Sequence, residues 1–143
     1  GERSIFNPLL RGGIVFFNSL IPSQDPCGFG GTGWIMAANQ NDGKSPDGPL
    51  FDADRNGTID AGDTVGGVAV IGLEIQGGIP GAGALISAGG GGGGAPPPPA
   101  CEPPKRPYVE VVLDSSGTAH TVNACLPEGA KIGRYSWREL SFD

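Results

Sequence analysis

The chain has 143 residues, of which 27 are glycine and 14 are proline. This many helix-breaking residues exclude a helical bundle or coiled coil, and no apolar run approaches the roughly 18 residues of a membrane-spanning helix. A net charge of −6 without a basic stripe argues against a nucleic-acid partner. We therefore predict an all-β chain with antiparallel sheets, which needs a metal, a disulfide or a partner surface for full stability.

Short strands separated by turns account for the first part of the chain. Apolar runs predict strands over 5–10, 14–20 and 32–38. The β-branched segment 64–75 predicts one or two strands buried on both faces, and 84–86 predicts a weak strand. Together these elements define a predicted β segment over 1–87.

A glycine- and proline-rich linker is predicted over 88–107, because six consecutive glycines are flexible and four consecutive prolines favour polyproline II. Its basic pair, Lys105 and Arg106, is interpreted as solvated linker charge. The remainder, 108–143, predicts a β-hairpin with strands at 108–113 and 118–122, followed by a closing strand over 133–140.

The three cysteines do not form a CxxC pair, which argues against a zinc or thioredoxin-type site. In an oxidising compartment, Cys101 and Cys125 are the favoured pair because they flank the hairpin. Cys27 would then be free or bonded to a segment outside this chain. The alternative is three reduced, buried thiols in a cytosolic protein. Because the chain begins at Gly1 without an initiator Met or signal peptide, we expect it to be a processed or excised piece of a longer protein.

One segment carries a recognisable site, the acidic loop 52–63 with the sequence DADRNGTIDAGD. It matches the twelve-residue calcium loop of EF-hands, with glycine at position 6 for the sharp turn and isoleucine at position 8 to anchor the loop to the core. Oxygens on alternate residues of a tight loop point into one shell, which suits Ca²⁺ better than Mg²⁺. The predicted ligands are Asp52, Asp54, Asn56, Thr58 (through its carbonyl), Asp60 and Asp63.

Two features depart from the EF-hand pattern. Position 12 is Asp63 rather than a bidentate glutamate, so it must approach more closely or bind through one oxygen. The flanking segments 45–49 and 64–75 cannot be helices, so the loop is predicted to lie between strands. The alternative is an acidic surface turn that binds no ion.

The other candidate residues do not indicate catalysis. His120 is the single histidine and is predicted to be structural or solvent-exposed, with no serine or cysteine close to it in sequence. The segment 28–33 is glycine-rich but is not followed by a lysine or a helix, which argues against a phosphate site. We therefore expect that the chain is not an enzyme and has no catalytic residues.

Several motifs resemble the end of the C-terminal β-propeller of the type IV pilus tip-associated adhesins, the PilY/PilC family. They are NPLLRGG at 7–13, LIPSQDPCG at 20–28, the pair Gly33 and Trp34, and SWREL at 136–140. The resemblance covers 1–65 and the last eight residues. It implies a secreted protein at the pilus, carried by minor pilins, with the loop 52–63 as a calcium site that tunes pilus extension against retraction.

On this resemblance, the predicted function is that of a calcium-binding segment of a pilus tip adhesin. It would take part in surface attachment, pilus biogenesis and twitching motility. Its expected partners are the rest of the adhesin chain, minor pilins or other filament subunits, and a host or surface receptor. The alternative is a calcium-stabilised structural subunit of an extracellular filament or surface layer, and a quinoprotein-type enzyme is a more distant third.

Overall fold

A computed structural model describes residues 1–25, 27–88 and 100–127. Within these residues the regular structure is entirely β, which confirms the predicted fold class. The described part of the chain contains no helix with the length and hydropathy that a membrane span requires. The strands, in chain order, are β1 (Leu9–Arg11), β2 (Ile14–Pro22), β3 (Gly31–Asn39), β4 (Thr58–Ile59), β5 (Thr64–Val65), β6 (Val68–Ala69), β7 (Gly72–Ile75), β8 (Pro80–Ser87), β9 (Ala100–Cys101), β10 (Arg106–Asp114) and β11 (Ala119–Leu126).

The first sheet is antiparallel and has the strand order β1-β2-β3-β7. Its longest pairing joins β2 to β3, so the strands predicted at 14–20 and 32–38 are confirmed. The strand predicted at 5–10 is displaced: β1 begins at Leu9, and before it only Arg3 forms an isolated bridge, to Leu20. Pro8 lacks a backbone N–H and therefore cannot donate to a ladder.

The second sheet is also antiparallel, with the order β11-β10-β8. The β10–β11 hairpin runs in continuous register from the pair Arg106 and Leu126 to the pair Leu113 and Ala119, which confirms the predicted hairpin. Strand β8 is longer than the predicted 84–86 because glycines at its start give no apolar signal. One of them, Gly83, has no room for a side chain, since Glu110 of β10 occupies that space.

One hydrophobic core receives side chains from both sheets. Phe16 and Ile35 come from the first sheet, and Val112 comes from the second. Leu50 and Phe51, which precede the acidic loop, belong to the same core and are 2% and 0% exposed. The Phe51 ring meets the Phe16 ring edge-on, with 6.4 Å between centroids. The segment that leads into the acidic loop is therefore anchored in the hydrophobic core.

The segment 64–75 differs from its prediction. It forms three short strands rather than one or two long ones, because the adjacent Gly66 and Gly67 take positive φ angles and turn the chain from β5 to β6. Val65 is 73% exposed and Val68 is 58% exposed, so the expectation of burial on both faces is wrong. The two valines that flank this tight turn are therefore exposed to solvent.

Part of the predicted linker has defined structure. Residues 100–107 contain β9 and the beginning of β10. The Lys105 Nζ donates a hydrogen bond of 3.1 Å to the Pro49 carbonyl, so the interpretation of Lys105 as solvated linker charge is wrong. The segments 89–99 and 128–143, including the predicted closing strand 133–140, lie outside the described residues.

The predicted disulfide between Cys101 and Cys125 is present and joins β9 to β11. Cys27 is exposed and free. The alternative of three reduced, buried thiols is therefore wrong.

Candidate metal centre

The acidic loop 52–63 is held at its entrance by the last described strand. Phe51 forms an isolated antiparallel bridge with Ala124, and the backbone N–H of Cys125 donates a 3.0 Å hydrogen bond to the carbonyl of Leu50. Because Phe51 and Ala124 are both 0% exposed, water cannot compete for these bonds. The position of Asp52 is thus fixed by strand pairing immediately before it.

A second strand holds the middle of the loop. Thr58 and Ile59 form β4, which pairs in parallel with Ala100 and Cys101 of β9. Ile59 is 4% exposed, as predicted for the anchoring residue at position 8. The loop is therefore supported from both sides by the second half of the chain.

Three carboxylates converge inside this loop. Asp52, Asp54 and Asp63 each place an oxygen within 4.8 Å of the other two. Asp63 is 0% exposed and Asp52 is 9% exposed, whereas Asp54 lies at the surface. At this separation two unit negative charges repel by between ~1 and ~3 kcal/mol, depending on how strongly water screens them. The fold holds these groups together against a repulsion that a cation would remove.

Asp63 closes the loop from position 12. Its Oδ1 accepts hydrogen bonds from the backbone N–H groups of Ala53 at 2.5 Å and Asp54 at 3.2 Å, and its Oδ2 accepts one from Asp60 at 2.9 Å. A carboxylate oxygen has two lone pairs, so Oδ1 is fully used and Oδ2 retains one. Of the two binding modes left open for this short side chain, the geometry favours binding through a single oxygen.

The carboxylates at positions 1 and 3 retain more acceptor capacity. The two oxygens of Asp52 accept one hydrogen bond each, from the N–H groups of Asn56 and Gly57, both at 3.0 Å. Asp54 accepts from the backbone N–H of Asn56 through Oδ1 and from its side-chain amide through Oδ2. Each of these four carboxylate oxygens keeps a free lone pair with which it could coordinate a metal. This set of oxygens fits a hard cation such as Ca²⁺.

Gly57 has the backbone conformation expected at position 6. Its φ of 88° lies in the left-handed region, and the space around it is open, so glycine is required for conformation rather than for room. Arg55, two residues earlier, also has a positive φ, of 60°. These two residues turn the chain so that the side chains at positions 1, 3 and 12 face one another.

Among the four predicted carboxylate ligands, Asp60 is the one that lies outside the cluster of three. Asn56 uses its Oδ1 to accept a 2.7 Å hydrogen bond from the Thr58 N–H. Asp60 lies outside the three-carboxylate group, and its Oδ1 accepts a 2.7 Å bond from the Gly62 N–H. Its Oδ1 and the Asp54 Oδ2 nevertheless both lie beside Gly62, where a Cβ in place of the glycine hydrogen would be 3.1 Å from the first and 3.5 Å from the second. This offset suits position 9, which often reaches calcium through water.

A cleft of about 580 Å³ opens beside Asp52 and Arg55. It is lined by the edges of β7 and β11, including Glu74 and Asn123. The cleft therefore borders the loop on the side of Asp52.

His120 is part of a hydrogen-bonded turn between β10 and β11. Its Nε2 lies 2.7 Å from the Asp114 Oδ2, and Ser116 Oγ donates to the Asp114 Oδ1 at 2.6 Å. These contacts, first Ser116 and then His120, lower the pKa of the Asp114 carboxyl. Asp114 thus lies between Ser116 and His120 and contacts both. The Thr118 N–H also donates to the Asp114 Oδ1, at 3.0 Å, so the cluster closes the β10–β11 turn.

Sequence reasoning did not identify the residues that support the loop. Neither the pairing of β4 with β9 nor the bridge from Phe51 to Ala124 has a local signature, because each joins segments far apart in the chain. The disulfide prediction was the one available signal, since it places Cys101 beside Cys125.

Comparison with known proteins identifies two relatives. The chain is 31% identical over 77 residues to the "Type IV pilus biogenesis factor PilY1" of Pseudomonas aeruginosa (strain UCBPP-PA14), covering 54% of this chain and 7% of that protein. It is 28% identical over 151 aligned residues to the "Type IV pilus biogenesis factor PilY1 homolog" of Xylella fastidiosa (strain Temecula1), covering 98% of this chain and 10% of that protein. No family model and no solved structure matches.

The chain thus spans a tenth or less of the length of these relatives. Both carry the name that the sequence motifs had suggested, and the match to the second extends over nearly the whole chain. The resemblance found in the sequence is therefore confirmed: the chain is related to the PilY1 family of type IV pilus biogenesis factors.

Proposed function

We propose that the acidic loop 52–63 binds Ca²⁺ and that this chain is the calcium-stabilised segment of a surface protein that acts in type IV pilus biogenesis. The observation that carries the proposal is the convergence of Asp52, Asp54 and Asp63 within 4.8 Å. A cation bound between the three carboxylates would neutralise the repulsion that their closeness causes.

In this proposal the ligands have distinct roles. Asp52 and Asp54 supply the carboxylate oxygens of the first half of the loop, and Asp63 closes the site through Oδ2. Asn56 Oδ1 and the Thr58 carbonyl complete the inner shell. Asp60 acts directly or through a water molecule. An all-oxygen set of mixed carboxylate, amide and carbonyl groups is typical of calcium rather than of a transition metal.

The consequence of binding is increased order in the surrounding sheets. Calcium would remove the repulsion inside the loop and thereby strengthen the bridge from Phe51 to β11 and the pairing of β4 with β9. A ligand that binds only the folded state stabilises it by RT ln(1 + [L]/Kd), which is about 2.7 kcal/mol at a hundredfold excess over Kd. Catalysis is not part of this proposal, since Asp114 separates Ser116 from His120.

The biological part of the proposal follows from the relatives, both named as type IV pilus biogenesis factors. We place the chain at the cell surface or pilus, where it would contact the rest of its own protein and minor pilins or other filament subunits. Surface attachment and twitching motility are the processes that it would serve. The copy number per fibre separates this role from that of a structural subunit, since a tip protein is present once and a structural subunit repeats.

The experiment is a calcium titration of the 143-residue chain by calorimetry, together with its melting temperature. Ca²⁺ should bind once and raise the melting temperature, and Mg²⁺ should do so more weakly. Asp52→Asn should lose most of the affinity, because it removes a charge while keeping the shape. The matched control is Asp42→Asn, since Asp42 is an exposed acid that pairs with Lys44 outside the loop. Equal calcium effects in both variants would overturn the proposal.

A further inference from the structure

The disulfide joins the two strands that support the acidic loop. Cys125 follows Ala124, the bridging partner of Phe51, and its own N–H bonds to the Leu50 carbonyl at 3.0 Å. Cys101 lies directly opposite Ile59 in the β4–β9 pair. One sulfur therefore belongs to the strand at the entrance of the loop, and the other belongs to the strand beside its middle.

We infer that the Cys101–Cys125 disulfide controls the calcium affinity of the acidic loop, so that reduction of this bond weakens ion binding. The inference rests on the proposed function, because it concerns the same site. It assigns to the disulfide a role in holding the loop in its binding conformation, in addition to any role in global stability.

The dimensions of β9 explain why a covalent connection matters. Strands β4 and β9 contain two residues each, and such a short parallel pair is not stable by itself. Cys125 is 1% exposed and belongs to a strand paired along its length with β10, so it is a fixed point. The disulfide tethers β9 to that point. Among the described residues, the turn at 102–105 and the Lys105–Pro49 hydrogen bond still hold β9 near β4 when the disulfide is broken, but the entropic cost of pairing β9 with β4 rises.

Coupling of this kind is reciprocal. If the disulfide raises calcium affinity by a given factor, calcium must favour the disulfide over the dithiol by the same factor. A small dithiol reductant tests this directly: the Cys101–Cys125 bond breaks, two cysteine thiols form, and the reductant is oxidised to its cyclic disulfide. Couplings between sites are typically about 5- to 150-fold, so we expect at least about a fivefold change.

The test uses the 143-residue chain carrying Cys27→Ser, which removes the exposed third thiol and prevents disulfide exchange. Calcium Kd is measured by calorimetry for the oxidised and the dithiothreitol-reduced forms. Reduction should raise Kd by about fivefold or more. The double variant Cys101→Ala/Cys125→Ala, measured without reductant, should show the same increase. The chain with Cys27 intact is the matched control and should bind as the oxidised Cys27→Ser form does.

A second measurement covers the case in which the reduced or double-variant chain does not fold. The dithiothreitol concentration that gives half reduction is determined with and without saturating Ca²⁺. Calcium should raise it by the same factor, and Asp52→Asn should abolish the rise. An unchanged half-reduction point would overturn the inference, as would equal Kd values for folded oxidised and reduced chains. If the oxidised chain binds no calcium at all, the proposed function itself fails, which is a separate result.

Discussion

Glu110 provides a quantitative test of side-chain burial in the second sheet. Its side chain is 1% exposed, and its Oε2 has no hydrogen-bond partner in the described part of the chain. Its Oε1 fills the space that a side chain on Gly83 would need. Burial raises the pKa of this carboxyl from 4.5 to about 7, because the charged form loses its hydration. Glu110 is therefore a buried acid that favours its neutral form.

The direction of the pH effect follows from the two pKa values. Below pH 4.5 the carboxyl is protonated in both the folded and the unfolded chain, and it imposes no penalty. Above pH 4.5 the unfolded chain ionises first, so the folded state loses stability until the pH passes about 7. At 1.36 kcal/mol per pKa unit, the total loss between pH 4 and pH 8 is about 3 kcal/mol.

Urea unfolding of the wild type and Glu110→Gln, in calcium-free buffer at pH 4, 6 and 8, measures this loss. The free energy of unfolding of the variant, relative to that of the wild type, should increase by about 3 kcal/mol from pH 4 to pH 8, because glutamine does not titrate. Glu74→Gln, at an exposed position on β7, is the matched control. Its free energy of unfolding should differ from that of the wild type by the same amount at all three pH values. If the free energy of unfolding of Glu110→Gln changes with pH by the same amount as that of the wild type, burial does not raise the pKa of the Glu110 carboxyl as described.

Two further substitutions test the loop and the hairpin turn. Gly57→Ala should destabilise the chain by about 1–2 kcal/mol and weaken calcium binding, because alanine is strained at a φ of 88°. Gly57→Asn should lose less stability and less calcium affinity, since asparagine tolerates this region better. Denaturation midpoints and calorimetry measure the two effects, and equal losses of stability and affinity in both variants would contradict the explanation. Ser116→Ala should raise the pKa of Asp114 towards its ordinary value of 3.8, as followed by the NMR shift of its carboxyl carbon. The stability that comes from this hydrogen-bonded carboxylate is present above pH 3.8 and declines below it. If the Asp114 titration is the same in Ser116→Ala as in the wild type, Ser116 is not the main cause of the lowered pKa.

Local patterns in the sequence were sufficient for much of the fold. Strands β2, β3, β10 and β11 alternate or run as β-branched segments, and their turns contain residues that favour reversal. The spacing of acids around Gly57 likewise placed the convergent carboxylates of Asp52, Asp54 and Asp63, because a tight loop brings alternate residues to one side.

Other features depend on contacts that no local pattern reveals. Strand β9 has two residues in a segment of linker composition, and its structure comes from β4 and the disulfide. Val65 and Val68 have side chains that favour strands, yet both are exposed to solvent because the two glycines between them form a tight turn. Glu110 occupies the buried face of an alternating strand, where its space depends on Gly83 in a neighbouring strand.

The support of the acidic loop by strands from the far end of the chain determines when the site can form during synthesis. A chain that emerges from its N-terminus can pair β2 with β3 early, because these strands are neighbours in sequence. The partners of Leu50, Phe51 and Ile59 are residues 100–125, which are made last among the described segments. The ion site is therefore a late product of folding, completed only when nearly the whole described chain is available.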